Sequence, residues 1–446
     1  MKRILIYNAR IVGEGRTRTG WVLTEGEVIA AMGEGEGCPT VEAGERIDAR
    51  GHYLLPGLID DHVHCRQPGL THKADLATES RAAAAGGVTS FMDMPNVVPP
   101  TTSLELLDEK FELAARTCVV NYSFYFGATN TNHHLLSRLD RRHVCGVKLF
   151  MGSSTGNMLV DREEALTRVF SEAGMLIAAH CEDPALIRTN TERIRSLYGN
   201  QAPVSLHPSV RSEEACYASS ALAVRLARQT GARLHLLHIS TARELGLLSE
   251  GPLEQKRITA EACVPHLLFS QADYATLGSR IKCNPAVKRI SDREALRAAV
   301  RSGLIDVIAT DHAPHLPEEK LGGALKALSG MPMVQYSLVS LMELVRKGVF
   351  SIEQVVQRAC HAPALLFGIE RRGFIRPGYQ ADLVLLDPDR PWTLTPDDIL
   401  SRCGWSPLEG RTFHARVEKT FVNGHLVYDG RIADTCPCGQ ALTFDR

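Results

Sequence analysis

The sequence predicts an α/β protein: a (β/α)8 TIM-type barrel with a small β-sandwich domain built from both termini. Three observations predict it. Strand-like and helix-like stretches alternate eight times through the middle of the chain, and both ends are short β-like runs punctuated by glycine. The length of 446 residues exceeds one ordinary compact domain unless the core is a barrel. The expected division is 1–54 plus 370–446 for the β domain and 55–369 for the barrel.

In chain order, Ile4-Leu5-Ile6-Tyr7, Gly20-Trp21-Val22-Leu23 and Val28-Ile29-Ala30-Ala31-Met32 read as short antiparallel strands separated by glycines. The C-terminal region has the same texture: residues 381–387, 417–422 and 425–428 are β-like, with Asn423-Gly424 as a hairpin turn. Between these ends, the apolar run Leu54-Leu55-Pro56-Gly57-Leu58-Ile59 reads as the first barrel strand, running on to His62 and His64. A helix over 74–85 stops at Gly86-Gly87. Strands follow at 88–94, 118–126, 144–150, 175–180, 232–238, about 257–264 and 304–311, with helices over 162–173, 212–229 and 292–301 among them.

Formal net charge is −1 and the pI about 7.0, with both signs mixed along the chain. That gives no electrostatic case for nucleic acid or a membrane surface. The N-terminal apolar stretch spans four residues before Asn8, too short for a secretory signal, and no run approaches the roughly 18 apolar residues of a membrane span. The expected location is therefore cytoplasmic, and the twelve cysteines read as reduced thiols, mostly core fillers such as Cys118, Cys145 and Cys216. Cys436-Pro437-Cys438 has no second cysteine pair in reach and makes a poor zinc knuckle.

The polar residues of the barrel sit where its strands end, the rim at which such barrels carry chemistry. Side chains alternate faces along a strand, so His62 and His64 project from one side. Alone, the pair reads better as two satisfied histidines on one face of a half-buried strand. Together the strand ends supply His62, His64, Lys148, His180, His238 and Asp311. Imidazoles and a carboxylate suit a borderline ion such as Zn2+, and six positions are more than one tetrahedral ion needs. Two ions roughly 3.5–4 Å apart would use them all. An ammonium cannot bind a cation, so Lys148 joins only as a neutral amine that has reacted with CO2 to give a bridging carbamate. The plainer alternative is a lysine ion-paired with an acid at the mouth, such as Asp311. By strand alternation His235 and His312 face away from the mouth, with His235 packed against the helices.

Several motifs, with the likeness covering nearly the whole chain, resemble the cyclic amidohydrolases and among them the dihydroorotases. They are His62-Val63-His64 with Arg66, Pro68 and Gly69; Asp93-Met94-Pro95-Asn96; Lys148-Leu149-Phe150; His180; His238-Ile239-Ser240-Thr241; Lys282-Cys283-Asn284-Pro285; and Thr310-Asp311-His312-Ala313-Pro314-His315. The resemblance implies two zinc ions per subunit. One would be held by His62, His64 and Asp311, the other by His180 and His238, with carboxylated Lys148 bridging and Asp311 as the catalytic proton carrier. It implies Arg66, Asn96 and His315 as a carboxylate clamp and Asn284 as a ring contact, for dihydroorotate and N-carbamoyl-L-aspartate. Homodimers, and association with aspartate transcarbamoylase, occur among such proteins.

Gln67, where an acid commonly stands, and Pro285-Ala286, in place of a double proline, depart from the pattern at positions expected to bind no metal. Allantoinase and hydantoinase share the lysine-bearing pattern, with Met94-Pro95-Asn96 and Asn284 favouring dihydroorotase. A non-catalytic scaffold homologue is disfavoured because every ligand position is filled.

Overall fold

The computed structural model describes residues 1–152, 158–433 and 437–446. Cys436 of the Cys-Pro-Cys motif lies outside them. The chain opens with β1 (Arg3–Gly13), β2 (Arg16–Glu25), β3 (Val28–Glu34), β4 (Glu45–Asp48) and β5 (Tyr53–Pro56). These join three C-terminal strands in one sheet around a core that includes Ile4, Ile6, Val22, Leu54, Leu383 and Phe421.

The barrel strands follow: β6 (Leu58–Val63), β7 (Val88–Asp93), β8 (Asn121–Gly127), β9 (Gly146–Phe150), β10 (Ile177–His180), β11 (Leu234–Leu236), β12 (Ile258–Cys263) and β13 (Val307–Ala309). They lie side by side in sequence order, every pair parallel. The ring closes between β13 and β6, where the His64 amide donates to the His312 carbonyl at 2.7 Å. Asp60 reinforces the seam, its carboxylate accepting from the Thr310 amide at 3.1 Å and hydroxyl at 2.6 Å. The C-terminal strands are β14 (Leu383–Asp387), the short pair β15 (Trp392–Thr393) and β16 (Thr412–Phe413), β17 (Arg416–Val422) and β18 (His425–Tyr428). The β17–β18 hairpin turns at Asn423 and Gly424 with φ of 50° and 73°, as Asn-Gly favours.

Capping explains where the outer helices start. Asp75 accepts from the Thr78 amide at the head of helix Leu76–Ala85, Asp183 from Leu186 at helix Pro184–Tyr198, and Ser212 from Ala215 at helix Glu213–Thr230.

The structure corrects two strand expectations. The apolar run at 54–59 is two strands in two sheets: β5 pairs with β1 and β14, and β6 with β7. The change of sheet falls at Gly57, slightly beyond the expected boundary, where an added Cβ would lie 2.0 Å from the Thr89 hydroxyl. The sixth and eighth strands are shorter than expected, because the backbone leaves extended geometry before the polar residues of the mouth.

The barrel floor is apolar. Ile59, Tyr125, Leu176 and Val307 meet Phe367 and, from the C-terminal segment, Phe444. Among the described residues no helix is long and apolar enough to cross a membrane.

Candidate metal centre and ligand pocket

Strand ends of the barrel and the loops beyond them surround a cavity of about 520 Å³ at the mouth, lined by His62, His64, Lys148, His180, His238 and Asp311 together. The Nε2 atoms of His62 and His64 lie 3.3 and 3.1 Å from one Asp311 carboxylate oxygen, and the three side chains form one group able to hold a metal. On the other side, His180 Nδ1 and His238 Nε2 face each other at 2.9 Å.

Outer partners fix which nitrogens point inward. Glu261 lies 2.5 Å from His62 Nδ1, and the Asn96 carbonyl 2.7 Å from His64 Nδ1. Each takes an N–H and leaves the Nε2 lone pair for the mouth. Glu182 accepts from His180 Nε2 at 3.1 Å and from the Arg211 guanidinium. Burial opposes the charge on Glu182, but Arg211 and His180 outweigh it and hold its carboxyl down at about 2. Burial also depresses His180, His238 and His64, the last to about 4, so these rings are neutral at pH 7 and free to ligate. Burial raises Asp311, but the neighbouring histidines outweigh it and keep the carboxyl below its ordinary value.

Lys148 is 1% exposed, with its Nζ 4.6 Å from the Phe150 ring centroid. Among the described residues it forms no ion pair, so the salt bridge to Asp311 is not what the structure shows. Burial lowers its pKa to about 8, against the pull of Glu261 and Asp311. Glu261 and Asp311 outweigh burial at His62 and raise its pKa, so a cation there would take the place of a proton. This donor set fits a pair of divalent ions: two converging pairs of imidazole nitrogens, one carboxylate, and between them an amine easily made neutral.

Three mouth residues occupy the left-handed backbone region that side chains disfavour: Arg66 at φ 63°, His238 at 37° and Asp311 at 48°. Arg66 is buried and reaches the Pro314 carbonyl at 3.0 Å through Nε. Both ring nitrogens of His315 are engaged, Nδ1 by Lys73 at 3.2 Å and Nε2 by the Ser329 carbonyl at 3.0 Å. Asn96 has its oxygen on His64 and only its amide N–H groups left, and the Asn284 oxygen lies 3.1 Å from His207. All four line the cavity.

The expectation for His235 is corrected. Its ring sits inside the barrel, near Glu261 of the neighbouring β12 and near Asp61 of β6, a strand that β11 does not pair with and meets only across the lumen. Alternation fails because β11 ends at Leu236 and the backbone has turned by His238. His312 does face outward, 2.8 Å from Glu79. Sequence reading missed Glu261, Glu182, Arg211 and Lys73. The available signal was an acid inside an apolar strand, Thr259-Ala260-Glu261-Ala262, which has to be partnered once buried.

Comparison with known proteins identifies the family and the fold. The amidohydrolase family model matches residues 53–427. A dihydroorotase of Halobacterium salinarum is 36% identical over 94% of this chain and 95% of its own, and an allantoinase of Bacillus velezensis is 31% identical over 95% and 94%. The solved L-hydantoinase of Arthrobacter aurescens superposes with a TM-score of 0.94 at 27% identity, covering 99% of this chain and all of that one. With its nearly closed parallel barrel, its mostly-sheet second domain and a mouth ringed by side chains able to hold a metal, the chain belongs to the amidohydrolase family and is a hydrolase of the cyclic amide type.

Proposed function

We propose that the chain is a zinc-dependent dihydroorotase of de novo pyrimidine biosynthesis, interconverting (S)-dihydroorotate and N-carbamoyl-L-aspartate. Arg66 carries this reading. Its guanidinium is 3% exposed, lines the cavity and has no acid partner among the described residues. A buried cation without an acid in direct contact is costly, and a ligand carboxylate held by the planar fork relieves that cost. Dihydroorotate carries such a carboxylate on its ring, whereas hydantoin and allantoin do not. The rest of the wall agrees: Arg66, Lys73, Lys148, Arg211, Lys282 and Lys326 line the cavity, with Asp311 the one acid among the described residues that line it.

In this mechanism His62, His64 and Asp311 would hold one zinc ion and His180 and His238 the other, with carboxylated Lys148 as a ligand available to both. Bound there, the ions supply Lewis-acid polarisation of the ring carbonyl and a water acidic enough to attack near neutral pH. Asp311 takes the proton of the attacking water and returns one to the leaving ring nitrogen; in cyclisation it moves protons the opposite way. Arg66 fixes the ring by its carboxylate, and Asn96 offers an amide N–H beside it. The buried free thiols, Cys118, Cys145 and Cys216 among them, support a reducing compartment such as the cytoplasm. A homodimer and an association with aspartate transcarbamoylase rest on family resemblance alone.

Turnover by zinc-loaded protein on dihydroorotate and N-carbamoyl-L-aspartate, measured beside allantoin and hydantoin, tests the proposal. Dihydroorotate is expected to be preferred by at least tenfold in kcat/KM, and preference for an uncharged ring would overturn the assignment.

A further inference from the structure

Beneath the mouth, in the barrel lumen, three side chains from three strands converge on one point. His235 Nε2 lies 3.4 Å from an Asp61 carboxylate oxygen and 3.5 Å from a Glu261 oxygen, and the three form a group able to hold a metal. All three residues are 0% exposed. Both Asp61 oxygens, Glu261 Oε2 and His235 Nε2 lack any hydrogen-bond partner. The other Glu261 oxygen serves His62 Nδ1 at 2.5 Å and the His238 amide at 2.9 Å.

The far side of the His235 ring sets its inward face. The Thr259 hydroxyl gives its hydrogen to the Leu234 carbonyl, so it accepts at 2.8 Å from His235 Nδ1–H. In the neutral ring Nε2 is then a bare lone pair aimed at the two acids, and a proton or a cation among them would satisfy all three side chains. Against burial, Asp61 and Glu261 push His235 up to about 9, so a proton on Nε2 is the competing occupant, although 3.4 and 3.5 Å exceed the 2.7–3.2 Å of an N–H···O bond. Ligands about 2.0–2.1 Å from a tetrahedral ion stand roughly 3.3 Å apart.

We propose that Asp61, His235 and Glu261 form a third cation site, distinct from the two-metal mouth above it, that takes a borderline divalent ion such as Zn2+ through one nitrogen and two carboxylate oxygens. The site is closed off from the cavity lining, so its ion enters during folding and leaves far more slowly than those at the mouth.

Protein produced with added zinc and crystallised with its metals in place tests this by anomalous scattering at the zinc edge. A peak between Asp61 and His235, about 2 Å from each ligand atom, is the expected result. Its absence, with an imidazolium alone filling the gap, overturns the site whatever the mouth contains. Metal analysis of the same preparation is expected to give three ions per chain, falling to two in Asp61→Leu, with chelator stripping the mouth first. Three ions in both proteins, or two in both, would overturn it. A loss confined to the mouth would instead count against the two-metal reading.

Discussion

The two halves of the barrel mouth are built on different principles. The half proposed to ligate metal comes from strand ends, where His62, His180 and their neighbours are positioned by a ladder of parallel backbone hydrogen bonds and held by buried acids such as Glu261 and Glu182. The half proposed to grip the ligand lies beyond the strands: Arg66, Asn284 and His315 make their contacts largely with backbone carbonyls and neighbouring side chains. Rigid strands give the fixed geometry a metal pair demands, while loops let one scaffold accept different rings. Relatives named dihydroorotase, allantoinase and hydantoinase share this frame.

Substitutions in the two halves therefore have separable effects. The largest is expected from Lys148→Ala, which removes the bridge: turnover falls on the order of 10³-fold or more and metal content drops with it. Zinc retained at the parental level would break the proposed bridge, and partial rescue by small carboxylic acids would sharpen it. Next comes Arg66→Lys, a change in the gripping half alone. Hydrogen bonds to charged groups contribute roughly 1.5–3 kcal/mol, so KM for dihydroorotate is expected to rise about 10- to 150-fold with metal content unchanged. Equal effects on metal and substrate would erase the division.

The smallest effect belongs to Glu182→Gln, which leaves His180 in place with a weaker partner. Zinc affinity, measured by competition with a chelator, is expected to fall about tenfold. Its pH signature has a definite sign. The folded carboxyl titrates near 2 against an ordinary 4.5, so its stabilisation is present above 4.5 and lost as pH falls toward 2. In urea unfolding of metal-free protein, the gap between parent and variant is expected to narrow across that window. A gap constant with pH would show that Glu182 is not the group responsible.

Much of this was legible in the sequence because the barrel puts chemistry where apolar runs stop. The position of each strand could be read from its own few residues, and so could the histidines that end them. What could not be read depends on partners far along the chain. That Asp61 meets His235 across the lumen, or that Glu261 steadies His62, follows from closure of the ring, which no local window contains. His235 was misjudged because alternation was carried past the end of a three-residue strand. The division of the apolar run at Gly57 went unseen because its cause is Thr89, on the next strand.

The left-handed backbone at Arg66, His238 and Asp311 bears on any attempt to toughen this molecule. Such conformations cost roughly 1–3 kcal/mol each, so a glycine at any of the three would relax the main chain while deleting a working side chain. A screen that rewards heat tolerance alone, blind to turnover, would drift toward these positions and enrich sturdier, inert proteins.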